Sequence, residues 1–198
     1  GESFDAVLTA AISPDQRMLV TGDPSRLVKV YSIADGSLQH RIKKHTDWVT
    51  AVSYSPDGVL LATADRAGNL HIWEAESLAP FYTLEGHKAA VTDMSWRSDS
   101  NVLATSDEEG QVMLWDMNSG SRVKNWGAHN GGTLSVAFAQ NGQLVTAGRD
   151  KQVKHWDQGG KQLRAFESLS DVAVDGDLTY DANKVIGAGW AGETYVWN

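Results

Sequence analysis

"WVTAVSYSPDGVLLATADRAGNLHIWEAESLAPFYTLEGH", residues 48–87, holds one full period of this chain. "WVTAVSYS" alternates apolar and polar side chains, as a strand with one buried face must. "SPDG" (55–58) is turn chemistry: proline presets φ and glycine tolerates positive φ. "VLLATA" (59–64) is mostly apolar and fits a strand buried on both faces. "DRAG" (65–68) turns the chain and "NLHIWEA" (69–75) alternates again. "ESLA" (76–79) turns once more, and "PFYTLEGH" (80–87) supplies a fourth strand. No segment carries a sustained 3.6-residue apolar period, so near-zero helix content is predicted.

The pattern recurs along the chain. Aromatics ending β-like runs fall at Tyr31, Trp73, Trp115, Trp156 and Trp197, separated by 42, 42, 41 and 41 residues. His45, His87 and His129 keep the same beat, as do "SPDQ" (13–16), "SPDG" (55–58), "RSDS" (97–100) and "AQNG" (139–142). Three markers in one register predict four short antiparallel strands per period. That is the signature of an all-β propeller built from four-stranded blades. Five repeats are predicted in a single domain over 1–198, with blades at about 1–43, 44–85, 86–127, 128–167 and 168–198. Inner strands start with Phe4–Ser13, and outer strands fall near 37–42, 80–85, 121–126 and 161–166. The fifth blade has no residues left for its outer strand. The simplest expectation is the C-terminal piece of a larger propeller, able to self-associate through open blade faces or a strand edge, with a free-standing five-blade ring as the alternative.

Composition bounds the function. The 198 residues carry a net charge of −8 with 25 acids against 17 Lys plus Arg, and no basic block, so nucleic acid is not an expected partner. No apolar run reaches spanning length, so no membrane insertion is expected. The absence of cysteine excludes disulfides, thiolate metal sites and covalent haem attachment within this chain.

Gly86-His87 followed by Trp115-Asp116 resembles the marks of the WD-repeat β-propeller family, and the resemblance runs through essentially the whole chain. It implies a hydrogen-bonded tetrad in each blade: His before the inner strand, Ser/Thr in the second, Asp in the following turn and Trp in the third. The fourth repeat has the full set, His129, Thr146, Asp150 and Trp156. The second has His45, Thr63 and Trp73 with Ala67 at the Asp position; the third has His87, Thr105 and Trp115 with Glu109 there. The first offers Ser3, Thr21, Ser25 and Tyr31, and the fifth keeps only Trp197, so fewer tetrad bonds are expected in the outer blades. "NGQLVTAGRDKQVKHWDQGGKQLRAF" with "KVIGAGWAGETYVWN" resembles the last repeats of bacterial, planctomycete-type WD-repeat proteins associated with c-type cytochrome domains. That implies, as an alternative, an accessory module beside a haem domain of the parent chain, in a periplasmic setting.

Gly187, Gly189 and Gly192 spell G-x-G-x-x-G, but only the strand-like "ETYVWN" follows, so no helix N-terminus could hold a pyrophosphate. These glycines are expected to turn a hairpin, and no cofactor is expected. The repeated histidines belong to separate blades and cannot converge on one metal ion. His71 and His155, offset by one residue within their repeats, should face different sides. No G-x-S-x-G elbow occurs, no carboxylate cluster recurs on inner strands, and Asp47 and Asp93 stand isolated, so no enzyme activity is expected. Trp96 and Trp126 take inner- and outer-strand core positions. That leaves Trp48, three residues after His45, and Trp190, in a hairpin turn. The family resemblance places both loops on one rim, with Arg66, Arg149 and Glu108. Large aromatics and arginines dominate binding hot spots. The predicted function is a non-catalytic scaffold whose rim takes a protein or peptide partner.

Overall fold

The structure, a computed structural model, describes residues 6–198. Ser3 and the start of the Phe4–Ser13 segment lie outside the described residues. Five antiparallel sheets account for every strand, and no helix occurs among the described residues. The first sheet is β1 (Thr9–Ile12), β2 (Met18–Gly22), β3 (Val28–Ser32) and β4 (Leu38–Ile42). The second is β5 (Val49–Tyr54), β6 (Leu60–Asp65), β7 (Leu70–Glu74) and β8 (Pro80–Leu84). The third is β9 (Val91–Trp96), β10 (Val102–Asp107), β11 (Gln111–Asp116) and β12 (Ser121–Gly127). The fourth is β13 (Thr133–Phe138), β14 (Leu144–Gly148), β15 (Val153–Trp156) and β16 (Gln162–Ala165). The fifth holds three strands, β17 (Ala173–Leu178), β18 (Val185–Gly189) and β19 (Thr194–Trp197). Strand order is sequential in every sheet, as short hairpin connections require. Among the described residues the first strand is shorter than the sequence pattern suggests: Val7 and Leu8 are exposed, and the Leu8 amide reaches across to the Gly22 carbonyl.

Two compact units divide the chain, one ending at Val91 and the other beginning at Thr92. In the first, a core forms around Val20, Val28, Val49, Leu61 and Trp73. In the second, Val112, Leu114, Val136, Leu144 and Trp156 form one cluster, and Val145, Val153, Phe166, Leu169 and Ala173 another. The second strand of each middle sheet is buried along its whole length: β6, β10 and β14 show no exposed residue. This is why those segments read as apolar runs rather than as alternation.

The hairpins between third and outer strands show how the sequence sets local geometry. Their left-handed position is Gly36, Gly120 and Gly160 in three repeats, with φ of 70, 65 and 76°. In the second repeat it is Leu78, at φ 56°. Glycine adopts this conformation without penalty, whereas a bulky side chain there carries about 1–3 kcal/mol of strain.

Candidate functional site

Directly paired residues on adjacent strands share one face of a sheet. In the fourth sheet this puts Thr146 and Trp156 on one face as diagonal neighbours, and His129 before β13 and Asp150 in the β14–β15 turn complete a relay with them. The Trp156 indole N–H donates to Thr146 Oγ1 at 2.9 Å. The Thr146 hydroxyl lies 2.7 Å from His129 Nε2, and His129 Nδ1 lies 2.6 Å from Asp150 Oδ1. With the indole occupying the threonine oxygen as donor, the hydroxyl proton points to Nε2, and Nδ1–H donates to the carboxylate. His129 is thereby neutral, and burial lowers its pKa against the opposing pull of Asp150. Gly148 gives the ring its room, because a Cβ there would overlap the imidazole.

The second sheet builds the same relay from a different aspartate. Trp73 donates to Thr63 at 2.9 Å, Thr63 meets His45 Nε2 at 2.8 Å, and His45 Nδ1 meets Asp65 Oδ2 at 3.1 Å. The carboxylate therefore comes two residues after the threonine, not from the position of Ala67. Burial raises the Asp65 pKa, but hydrogen bonds from His45 and Asn69 outweigh it and hold the group at about 2. Asp23, Asp65 and Asp107 share this place at intervals of 42 residues, and all three are buried. In the third sheet Trp115 donates to Thr105 at 2.9 Å, and Asp107, not Glu109, is the buried acid, accepting the Glu109 and Gln111 amides. His87 is buried in the first unit.

The residue paired with the threonine completes each arrangement. It is Lys29, His71, Met113 and Lys154 in the first four sheets. Lys29 meets Asp23 at 2.8 Å, and Lys154 meets Asp150 at 3.0 Å. His71 packs 5.1 Å from the His45 ring, and burial, reinforced by the charges of His45 and Lys44, lowers its pKa to about 4. His155 pairs with Val145 instead and reaches Gln143 at 3.1 Å, so its one-residue offset puts it on the opposite face from the Thr146 relay.

The rim residues sit on the loops at the strand ends nearest these histidines. In the first unit the Arg66 amide donates to the Trp48 carbonyl at 2.9 Å, tying the β6–β7 turn to the loop before β5. The Arg66 guanidinium then lies 5.0 Å from the Trp48 ring centroid, while 44% of Trp48 stays exposed. In the second unit the equivalent bonds run from Arg149 to Gly132 and from Trp190 to Val172. Arg149 stands 3.9 Å from Glu108, and Trp190 is 77% exposed. Gly189–Gly192 forms the β18–β19 hairpin turn, with Gly192 at φ 87°. Trp126 packs tilted against Trp156, with ring centroids 5.5 Å apart, and Trp96 is buried.

The expectation that Asp93 stands isolated is also corrected. Asp93 is not isolated. Its oxygens accept the Val136 amide at 2.9 Å and the Met94 amide at 2.8 Å. Next to it, the Ser135 hydroxyl donates to Asp175 at 2.7 Å. The three residues lie on β9, β13 and β17 at equivalent places, so the contact arises from neighbouring inner strands and is invisible within one repeat. Burial, with Asp175's charge adding to it, pushes the Asp93 pKa up to about 6. Among the described residues no group of three or more His, Asp or Glu could hold a metal ion.

The family described as "WD domain, G-beta repeat" matches residues 36–74, 78–116 and 120–157, more than half the chain. The chain belongs to the WD40-repeat family. Each matched WD40 stretch joins the outer strand of one sheet to the first three strands of the next, so sequence repeat and blade are staggered by one strand. The five sheets match WD40 blades, the last of them lacking its outer strand. The chain is similar to "Structure of U3-55K" (TM-score 0.90) and to "Crystal structure of RRP9 WD40 repeats" (TM-score 0.91), each at 23% identity over 100% of this chain and 62% of the other. At that identity the likeness shows the fold alone. "Autophagy-related protein 16" of Arabidopsis thaliana is 36% identical over 74 residues, covering 36% of this chain and 14% of that protein. The chain thus spans under two thirds of the length of each of these proteins.

Proposed function

We propose that this WD40 chain is a non-catalytic interaction scaffold that offers a loop rim to a protein or peptide partner. The observation that carries the reading is the Trp48–Arg66 pair. A large aromatic and an arginine are held face to face by a backbone hydrogen bond between two loops, yet remain accessible. Such a pair loses little side-chain entropy when a partner covers it, and indole and guanidinium are the groups most enriched at hot spots. Trp190, with Arg149 and Glu108, is proposed to serve the same role in the second unit. The relay residues His45, Thr63, Trp73, His87, Thr105, Trp115, His129, Thr146, Asp150 and Trp156 are proposed to brace the blades rather than to react, since the relays resolved in the second and fourth sheets spend their hydrogen bonds on one another. The cytochrome-associated reading gains no support from the relatives named above. Self-association through exposed Ile12 of β1 or Tyr195 and Val196 of β19 is the companion expectation, read by light scattering.

The test replaces Trp48 and Trp190 with Ala, singly and together, and compares proteins captured from the source organism with those captured by the parent chain. Loss of specific partners with unchanged thermal unfolding supports the rim. An unchanged partner set overturns it.

A further inference from the structure

The charges of the first unit are segregated by strand end. On the loops of the rim end, Arg26, Lys43, Lys44, Arg66 and Lys88 are exposed, and Asp47 and Glu85 oppose them. Two further acids of these loops are buried and already engaged, Asp23 by Lys29 and Asp65 by His45. The turns at the opposite end carry Asp15, Asp35, Asp57 and Glu76 against Arg17. In a chain of net charge −8 the rim end of this unit is therefore a basic island. No basic block announces it in the sequence, because its cations come from four separate loops.

Backbone and side-chain bonds draw those four loops together around Trp48. The Val49 amide donates to the Asp23 carbonyl at 3.2 Å, which sets the Arg26 turn beside the Trp48 loop. The Thr46 amide reaches Asp65 Oδ2 at 3.2 Å, and Asn69 Nδ2 donates to Thr46 Oγ1 at 2.8 Å, so the same loop is also held to the Arg66 turn. On the other flank Gly68 lies against the Lys88 loop, where a Cβ would sit 2.8 Å from the His87 carbonyl oxygen. Within this frame the Arg66 guanidinium lies over the Trp48 ring, and its N–H groups have no carboxylate or carbonyl partner among the described residues. Arg97 and Arg149 differ, since they meet Asp99 at 2.7 Å and Glu108 at 3.9 Å. A guanidinium placed over a ring keeps its edge donors for an anion.

We propose that this rim binds an acidic peptide segment of a partner protein, in which aspartates or glutamates flank an apolar side chain. The apolar side chain would cover the exposed part of Trp48. One carboxylate would take the free donors of Arg66, and its neighbours would meet Arg26, Lys44 or Lys88. The proposal rests on the rim reading above and adds the chemistry of the partner to it. Charge complementarity selects the carboxylates and speeds their arrival, and the indole selects the apolar residue between them. The loops of the second unit have the opposite character, with Glu108, Glu109 and Glu167 exposed beside Arg149 and Lys151. The same segment is therefore not expected at Trp190.

The experiment titrates the isotope-labelled chain with acetyl-Glu-Glu-Leu-Glu-Glu-amide and follows the Trp48 indole and Arg66 Nε–H signals by NMR. The matching glutamine peptide is the uncharged counterpart, and hexathymidylate is a polyanion without carboxylates. Shifts at Trp48 and Arg66 are expected at up to about 10 mM peptide, where millimolar binding saturates, with the Trp190 indole signal unmoved. Two or three exposed ion pairs together make the glutamine peptide about tenfold weaker, and salt should weaken the glutamate peptide toward it. Arg66→Gln is an exposed change that should leave thermal unfolding unaltered and weaken binding about twofold to fivefold, the effect of one exposed ion pair. Equal affinity for the glutamine peptide, undiminished binding by Arg66→Gln, equal or tighter binding of hexathymidylate at the same signals, or no shift at the highest concentration would each overturn the proposal. Failure of the rim itself reads differently: Trp48→Ala would then leave the captured partner set unchanged, a result that none of the peptide arms determines.

Discussion

Asp93→Asn should gain stability relative to the parent as pH rises from acid to neutral. The folded state holds the Asp93 pKa at about 6, above its ordinary 3.8, through burial and the nearby charge of Asp175. Below the ordinary value both folded and unfolded chains carry the proton, and the group adds no penalty. As pH rises from about 4 to about 6, the unfolded chain releases the proton first, so stability falls; above about 7 the loss is complete. A displacement of that size corresponds to about 3 kcal/mol, reduced to about 1–2 kcal/mol because Asp93 is only partly buried. The asparagine oxygen can still accept the Val136 amide, but its NH₂ then stands where the other oxygen accepts the Met94 amide, an offset that does not change with pH. Urea unfolding of parent and variant at several values between pH 4.5 and 7.5 reads the difference directly. The stability gap should widen in favour of the variant by about 1–2 kcal/mol across that range. A gap that does not change with pH would show that Asp93 is not held protonated by its surroundings.

Thr63→Val removes a hydroxyl that both accepts from Trp73 and donates to His45, leaving two buried polar atoms unpaired. It should cost about 2–4 kcal/mol in urea unfolding, and a loss under about 1 kcal/mol would mean the relay does not brace the sheet. Lys29→Met strands the Asp23 carboxylate, 2% exposed, opposite an apolar chain; a cost of about 3–5 kcal/mol is expected, falling as acid protonates Asp23. Asp65→Gly should destabilise the second sheet, and adding Ala67→Asp should recover part of the loss, because Gly148 and Asp150 solve the same problem in the fourth. No recovery would mean the two positions are not interchangeable supports for the histidine.

The fold was legible because each turn demands particular residue types at a fixed beat, and four turns per period leave little freedom for what lies between. Strand ends, hairpin glycines and the aromatic at the end of each third strand all follow from that constraint. The buried aspartates were equally present in the sequence, at Asp23, Asp65 and Asp107, but a motif expectation centred two residues later concealed them. Side chains two apart on a turn can reach the same imidazole by different paths, so the chemistry was conserved within the chain while its position moved. The Asp93–Ser135–Asp175 contact was not legible, since it joins strands 42 and 40 residues apart whose closeness only packing reveals.

In a chain built from repeats, the average residue at a position reports the fold, and the departure from it reports something local. Leu78 among Gly36, Gly120 and Gly160 is the sharpest departure here, because it sets a side chain against backbone preference. Its packing on the first unit's core offsets some of the strain, so Leu78→Gly should change stability by less than about 1 kcal/mol in either direction. Urea unfolding of parent and variant reads the difference, and a loss of several kcal/mol would assign Leu78 to the core.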